Sequence, residues 1–246
     1  MKNRSLLWMA FVGAVAGILM SMDTLVLSGR PTIEAQYMNA VFPFNEFIYY
    51  RQYFVSFKIV LASLVFLCFS VNVMKQYQYP YVLLRVKNKY KWELTLTLEI
   101  IKRSVLFFFG FTISIFLISC YSSEGKLTLN VWLTWLLSWI ALVYLGVLLG
   151  CMVNLLAGVA KEKTAVIVTY VFFLLGTYAT MRYSDFFAST KALLYLNPVT
   201  AISVAEERQM LVALCAIAGM CGICFVCQSI LAYGYTRWEK CIRSED

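Results

Sequence analysis

Hydrophobic residues fall into long runs separated by short polar connections. The runs occupy about residues 6–27, 52–74, 104–121, 129–153, 164–181 and 209–233. Each is close to the ~20 residues that a helix needs to cross the hydrocarbon core of a bilayer. Lys2 and Arg4 before the first run would also suit a signal peptide, but its length favours an uncleaved span. The pattern predicts an all-α integral membrane protein with six transmembrane helices in a single domain, residues 1–246.

The distribution of charge predicts the orientation of these spans. The connection 75–103 carries seven Lys and Arg residues against two Glu residues. Because basic residues accumulate in cytoplasmic loops, this connection is predicted to be cytoplasmic. Over the whole chain this arrangement places fourteen basic residues inside and six outside. Both termini are therefore predicted to be cytoplasmic.

Composition supports the membrane assignment and excludes several kinds of chemistry. Hydrophobic residues make up 61% of the chain and charged residues only 14%, with a mean hydropathy of +0.74. The net charge is +8. In a membrane protein, basic residues collect in cytoplasmic loops and beside lipid headgroups, so this charge does not indicate a nucleic-acid partner. The chain has no histidine, which removes His-based catalytic triads and His-ligated metal sites. It also lacks a GxxxxGK[ST] phosphate-binding loop, so we expect no ATPase activity of its own.

Few polar groups lie within the predicted spans. Asp23 and Lys58 are the two ionisable residues there, each near the predicted outer side, and they could form an intramembrane pair. The alternative is that Asp23 lies among the headgroups and Lys58 extends outward. A CxxC spacing occurs among Cys221, Cys224 and Cys227. No further ligand completes a metal site, so we expect these cysteines to be packing residues and expect no bound metal.

Shorter patterns predict local features. Residues 92–101 suit a short helix along the membrane surface, within the cytoplasmic connection. Two GxxxG pairs, at residues 13 and 17 and at residues 146 and 150, permit close helix approach without specifying a dimer face. Trp132, Trp135 and Trp139 recur at helical spacing and are typical of an interfacial anchor.

An apolar segment with a helix breaker precedes the last run. Residues 186–204 include Tyr195, Asn197, Pro198 and Thr200. Pro198 lacks an N–H group and disfavours helix at Asn197, so the segment cannot be one straight helix. It is either a re-entrant segment lining a path through the membrane or an outer loop with a proline turn.

Tyr195-Leu196-Asn197-Pro198-Val199-Thr200 resembles the Leu-Asn-Pro-Leu-Thr type segment of the permease subunits of type 2 ABC transporters, where short helices re-enter the outer leaflet. The chain is also similar to small permeases of bacterial peptide export and immunity systems. In this family the loop between spans two and three carries the coupling helix that docks on the ATPase. The resemblance assigns that role to seven residues of this chain: Tyr79, Pro80, Arg85, Lys87, Lys89, Lys91 and Trp92.

The resemblance implies further partners and a location. It implies a second permease subunit, identical or related, and two ABC ATPase subunits that would bind the ATP and magnesium, with no cofactor on this chain. The location would be a bacterial plasma membrane. The expected function is ATP-driven export of an amphipathic or lipid-like substrate such as an antimicrobial peptide. The alternative is a membrane immunity or scaffolding subunit that transports nothing. Only about five residues precede span one, whereas larger family members have an interfacial helix there.

Overall fold

A computed structural model describes residues 2–22, 32–41, 58–69, 89–123, 126–157, 162–182, 218–219 and 222–230. These residues are all-helical and contain no strand, as the sequence predicts. The helices are α1 (Lys2–Ser21), α2 (Ile33–Val41), α3 (Lys58–Phe69), α4 (Lys89–Ser122), α5 (Leu129–Ala157), α6 (Glu162–Arg182) and α7 (222–230).

Two helices in the described ranges are long and apolar enough to cross a membrane. They are Leu94–Ser122 within α4 and Leu129–Ala157, which is α5, each with 29 residues. Shorter apolar helices occur at Leu6–Ser21, Lys58–Phe69 and Lys163–Gly176, and they overlap three other predicted spans. Two candidate spans support a membrane location, whereas the count of six and the orientation stay predictions.

The helix α4 begins fifteen residues before the span predicted from Ser104. It has 34 residues, or roughly 50 Å at the α-helical rise per residue. No Gly or Pro interrupts residues 89–104. Leu96 and Ile100 are buried in the same core as Phe107 and Phe111, so the core-facing stripe continues without a break. The predicted surface helix 92–101 and span three are therefore one helix.

The helices α4 and α5 form an antiparallel hairpin. Ser104 donates to the carbonyl of Val143 at 2.8 Å, and Phe116 contacts Trp132 with ring centroids 5.0 Å apart. Gly146 and Gly150 lie against α4, where a Cβ on Gly150 would come within 2.5 Å of a methyl group of Ile100. One predicted GxxxG pair thus packs within the chain.

The other GxxxG pair lies where α1 crosses α4. A Cβ on Gly13 would lie 2.9 Å from the carbonyl carbon of Phe107, and one on Gly17 would lie 2.5 Å from the carbonyl oxygen of Phe111. Since both contacts advance together along the chain, α1 and α4 run in the same direction. Glycine is required here because only a residue without a side chain permits backbones to approach this closely.

Aromatic side chains fill the core between α3 and α4. Phe66 lies 5.5 Å from Phe107 and 5.6 Å from Phe108, measured between ring centroids, and all three are fully buried. On the other side of α3, the Tyr170 hydroxyl of α6 donates to the Val60 carbonyl at 3.3 Å. These contacts fix α3 between α4 and α6.

The helix α2 lies in the connection between the first two predicted spans. Thr32 caps its start, because its hydroxyl oxygen accepts from the backbone N–H of Ala35 at 3.3 Å. The helix packs on the end of the α4–α5 hairpin where residues 123–128 connect the two helices. Thr134 donates to a carboxylate oxygen of Glu34 at 3.1 Å. Gln36 donates to the Ser122 hydroxyl.

Candidate functional site

A cavity of about 590 Å³ lies between α4, α5 and α7. This volume falls in the range of small-molecule sites, which are mostly apolar with a few placed polar groups. The residues that line it are Leu94, Thr97, Leu98, Ile101, Val105, Trp139, Ile140, Val143, Tyr144, Val147, Cys151, Gly222 and Phe225.

Helical periodicity explains how α4 and α5 form two walls. The lining residues of α4 recur at intervals of three and four, which places them on one face of the helix. Those of α5 follow the same rule from Trp139 to Cys151. The α4 wall is partly open, because Leu94 is 38% exposed and Leu98 is 47% exposed.

Gln228 of α7 supplies hydrogen bonds at the edge of the cavity. Its amide nitrogen donates to the Cys151 carbonyl at 3.1 Å, and its amide oxygen accepts from the Thr97 hydroxyl at 3.3 Å. Gln228 is 4% exposed, and both of its partners line the cavity. An amide in this position satisfies its own polar atoms while it joins three helices. The prediction did not include Gln228, although an amide in the middle of an apolar run is a recognisable signal.

Two exposed lysines flank the cavity face of α4. Lys91 lies one turn before Leu94, and Lys102 directly follows Ile101. They are eleven residues apart, or about three helical turns, so they lie on the same side of the helix. Lys102 donates to the Glu99 carboxylate at 3.2 Å, yet its side chain is 56% exposed. The apolar cavity therefore has positively charged groups along one edge.

The predicted ATPase-coupling residues fall partly outside the described ranges. Tyr79, Pro80, Arg85 and Lys87 lie outside them, while Lys89 begins α4. Lys91 is exposed, as a docking residue would need to be.

Trp92 of the same set differs from Lys91. It is partly buried and packs against the hydrophobic core, and its Nε1 atom is buried without a hydrogen-bond partner among the described residues. Packing of the indole would hold the start of α4 in place, and the ATPase-coupling role of Trp92 stays a prediction.

The other predicted site residues are mostly outside the described ranges. Tyr195, Asn197, Pro198 and Thr200 of the re-entrant segment lie there, as does Asp23. Lys58 is described and is 7% exposed, at the start of the described part of α3. The pairing of Asp23 with Lys58 therefore stays a prediction.

The tryptophans of α5 form a connected aromatic cluster. Trp135 and Trp139 stack with an angle of 8° between their planes, and Trp132 meets Trp135 edge-on. The Trp139 ring also donates from Nε1 to the Val105 carbonyl at 3.3 Å. Trp132 is 45% exposed, whereas Trp139 belongs to the cavity wall. The cluster thus extends from the exposed surface of α5 to the cavity.

A polar contact at the hairpin end was missed by sequence reasoning. The Tyr37 hydroxyl lies 2.6 Å from the Ser138 hydroxyl, and both residues are fully buried. Because Ser138 donates its proton to the Trp135 carbonyl, Tyr37 donates to Ser138. Burial raises the pKa of the Tyr37 phenol well above its ordinary value. The only sequence signal was a tyrosine in an aromatic-rich connection.

The described residues contain no group of three or more Cys, Asp or Glu side chains placed to hold a metal ion. Within the CxxC spacing, Cys224 is half-buried and Cys227 is exposed. Comparison with family models, with curated proteins and with solved structures gives no match.

Proposed function

We propose that this chain is the membrane-spanning permease subunit of an ATP-driven ABC transporter. Its substrate would be amphipathic or lipid-like, such as an antimicrobial peptide, and a separate ATPase subunit would supply the energy. The observation that carries the proposal is the continuity of α4. One helix connects the basic segment that starts at Lys89 to the wall of the apolar cavity.

Mechanical coupling follows from this continuity. A helix without Gly or Pro between residues 89 and 104 transmits a displacement of its first turn to its later turns. Movement of the ATPase against residues 79–92 would therefore shift the cavity wall between Leu94 and Val105. It would also act on the crossing with α1, which has no free volume at Gly13 to absorb the shift.

The character of the cavity supports the substrate class. Its walls are aliphatic and aromatic, and among the described lining residues only Thr97, Trp139, Tyr144 and Cys151 carry a polar side-chain atom. Such a surface favours apolar chains and disfavours ions or sugars, because polar groups would lose water without gaining hydrogen bonds. In this proposal the segment 186–204 would form the outer part of the path.

Purification from the native host tests the proposal. The complex would be extracted in mild detergent, and bound proteins would be identified and quantified by mass spectrometry. We expect an ABC ATPase in a one-to-one ratio with this chain, together with ATP hydrolysis that rises when substrate peptide is added. A preparation without ATPase, even after cross-linking in intact cells, would instead favour the immunity or scaffolding function.

A charge-reversal pair localises the docking surface. Arg85→Glu should reduce bound ATPase, since it inverts a charge in the proposed coupling segment. Lys126→Glu is the matched control, because Lys126 is exposed in the hairpin connection at the other end of α4. Equal ATPase retention by both variants, at equal membrane insertion, would contradict the docking assignment.

A further inference from the structure

We infer that the cavity between α4, α5 and α7 binds a bulky, uncharged hydrocarbon group, and that Gly222 sets the largest width of group that it accepts. This inference deepens the proposed function and rests on it for the identity of the ligand, because the bound group would be the apolar part of the exported substrate. A peptide backbone or a polar headgroup of that substrate would stay outside the cavity. Binding of the hydrocarbon group is measurable without an ATPase and without transport.

The hydrogen-bonding groups of the cavity wall already have partners. Thr97 donates to the amide oxygen of Gln228 at 3.3 Å, and Trp139 donates from Nε1 to a backbone carbonyl of α4, also at 3.3 Å. Tyr144 and Cys151 are the other described lining residues with a polar side-chain atom, and each has an interaction of its own. A polar ligand group would have to break one of these contacts or lose water without a new hydrogen bond. This favours a ligand portion made of carbon and hydrogen.

The charges near the cavity do not select an ionic ligand. Lys102 is paired with Glu99, and Lys91 also has an interaction of its own. None of the described lining residues carries a charge. A charged group inside the cavity would therefore lose its hydration without gaining a counter-ion, so the bound group is expected to be uncharged.

Gly222 differs from the glycines that pack against α4. An added Cβ on Gly13 or Gly150 would collide with that helix. At Gly222, no atom of the other described residues lies within 4 Å of an added Cβ, apart from the backbone of its own helix. Among the described lining residues, Gly222 is the one without a side chain. The missing side chain therefore leaves open space that belongs to the cavity.

Helical spacing directs position 222 toward this space. Gly222, Phe225 and Gln228 follow one another at intervals of three residues, so they share one side of α7. Phe225 lines the cavity, and Gln228 is hydrogen-bonded to α4 and α5. Gly222 is itself exposed, which places it at an open side of the cavity. A side chain at this position would narrow the space between α7 and the other two walls.

Photolabelling of the full chain in detergent measures this width. The bulky probe is adamantane diazirine, and the slim probe is a straight-chain alkyl diazirine with the same number of carbon atoms. Light converts each probe into a carbene that inserts into nearby bonds, and mass spectrometry of the digested protein locates the label. We expect both probes to label the cavity wall and an excess of unreactive adamantane to compete with them there. Ile167 and Phe172, exposed on α6 outside the cavity, should show labelling without competition and provide the reference.

A matched pair of glycine substitutions assigns the width to one position. Gly222→Leu should reduce labelling of the cavity by adamantane diazirine about tenfold or more relative to α6, because a hydrophobic pocket discriminates at this level against a single added methylene. Labelling by the straight-chain probe should persist. Gly219→Leu is the control, because Gly219 has equally open surroundings and does not line the cavity. Gly222→Ala should give an intermediate loss, and it keeps the test decisive if the larger side chain lowers the melting temperature.

Three outcomes would overturn the inference. Cavity labelling that excess adamantane does not reduce would show that the cavity is not a binding site for such a group. Equal labelling of Gly222→Leu and Gly219→Leu by the bulky probe would show that position 222 does not set the width. Loss of both probes from Gly222→Leu would show that the substitution closes the cavity instead of narrowing it. A purified chain without ATPase would give the same labelling, so failure of the transport proposal would be recognised separately.

Discussion

The hydroxyl oxygens of Tyr37 and Ser138 lie 2.6 Å apart, although 101 residues separate them in the sequence. Tyr37 also meets Phe116 edge-on, with ring centroids 5.8 Å apart. This one side chain therefore holds α2 against both helices of the α4–α5 hairpin. In the predicted orientation, α2 would cover the hairpin on the outer side of the membrane.

Removal of the Tyr37 hydroxyl should weaken this attachment. Tyr37→Phe keeps the ring and its contact with Phe116, and Ser138 keeps its bond to the Trp135 carbonyl. The loss is one net hydrogen bond, or about 1 kcal/mol of stability. The melting temperature of the purified protein in detergent measures it. Tyr121→Phe is the control, because Tyr121 is 90% exposed, and an equal drop in both variants would contradict the prediction.

The same contact should depend on alkaline pH. In the folded protein burial raises the pKa of Tyr37, whereas in the unfolded chain it titrates near 10. A raised folded pKa gives stability that is fully present below the unfolded pKa and is lost as pH rises toward the folded one. The stability advantage of the wild-type protein over Tyr37→Phe should therefore shrink above pH ~10. Melting curves of both proteins from neutral to alkaline pH measure this, and a constant difference would refute it.

The crossing of α1 and α4 should not tolerate a methyl group. Gly13→Ala places a Cβ against the Phe107 backbone, which cannot move away as a flexible side chain could. We expect a loss of about 1–3 kcal/mol, seen as a lower melting temperature. Gly176→Ala is the matched control, because no atom of the other described residues lies within 4 Å of its added Cβ, apart from the backbone of its own helix. That variant should be neutral or slightly stabilising, and the prediction fails if both variants behave alike.

The amide of Gln228 should stabilise the packing of α7. Gln228→Met keeps a side chain of similar length but removes the bonds to Thr97 and to the Cys151 carbonyl. Interhelical hydrogen bonds in membrane proteins contribute about 0.6 kcal/mol each, so we expect a loss of about 1 kcal/mol. Ile230→Met changes an exposed position of the same helix and serves as control. Unchanged melting of Gln228→Met would show that the amide contributes nothing.

Partial filling of the cavity should reduce transport if the proposed function is correct. Leu98→Trp adds volume at the open edge of the α4 wall, where the side chain is already 47% exposed, so folding should be preserved. We expect a lower rate of substrate-stimulated ATP hydrolysis by the complex, with basal hydrolysis unchanged. Leu117→Trp makes the same change on α4 at an exposed position outside the cavity. If both variants have the same rate of substrate-stimulated ATP hydrolysis, the cavity is not part of the substrate path.

The sequence by itself determined the all-helical class of this protein and the position of several of its helices. Long apolar runs can satisfy their backbone polar groups in lipid only as helices or closed barrels, so composition predicts membrane helices here. The predicted end of span three at Tyr121 lies one residue before the end of α4 at Ser122, and the predicted start of span four at Leu129 is the start of α5. Both agree because the residues between these helices interrupt the apolar pattern. The predicted start of span three at Ser104 was too late, because α4 begins at Lys89. The first turns of α4 carry many polar residues and resemble a loop unless one knows that one face of them is buried.

Only the tertiary structure decided which residues meet. The GxxxG pairs, the tyrosine of α2 and the amide of α7 have no partner that local spacing can specify, because each partner comes from a helix distant in sequence. Gly13 meets Phe107, Tyr37 meets Ser138, and Gln228 joins Thr97 to Cys151. Helix periodicity shows which residues share a face, but the packing of one face against another depends on side-chain shapes across the whole bundle. The cavity exists only as a result of that packing.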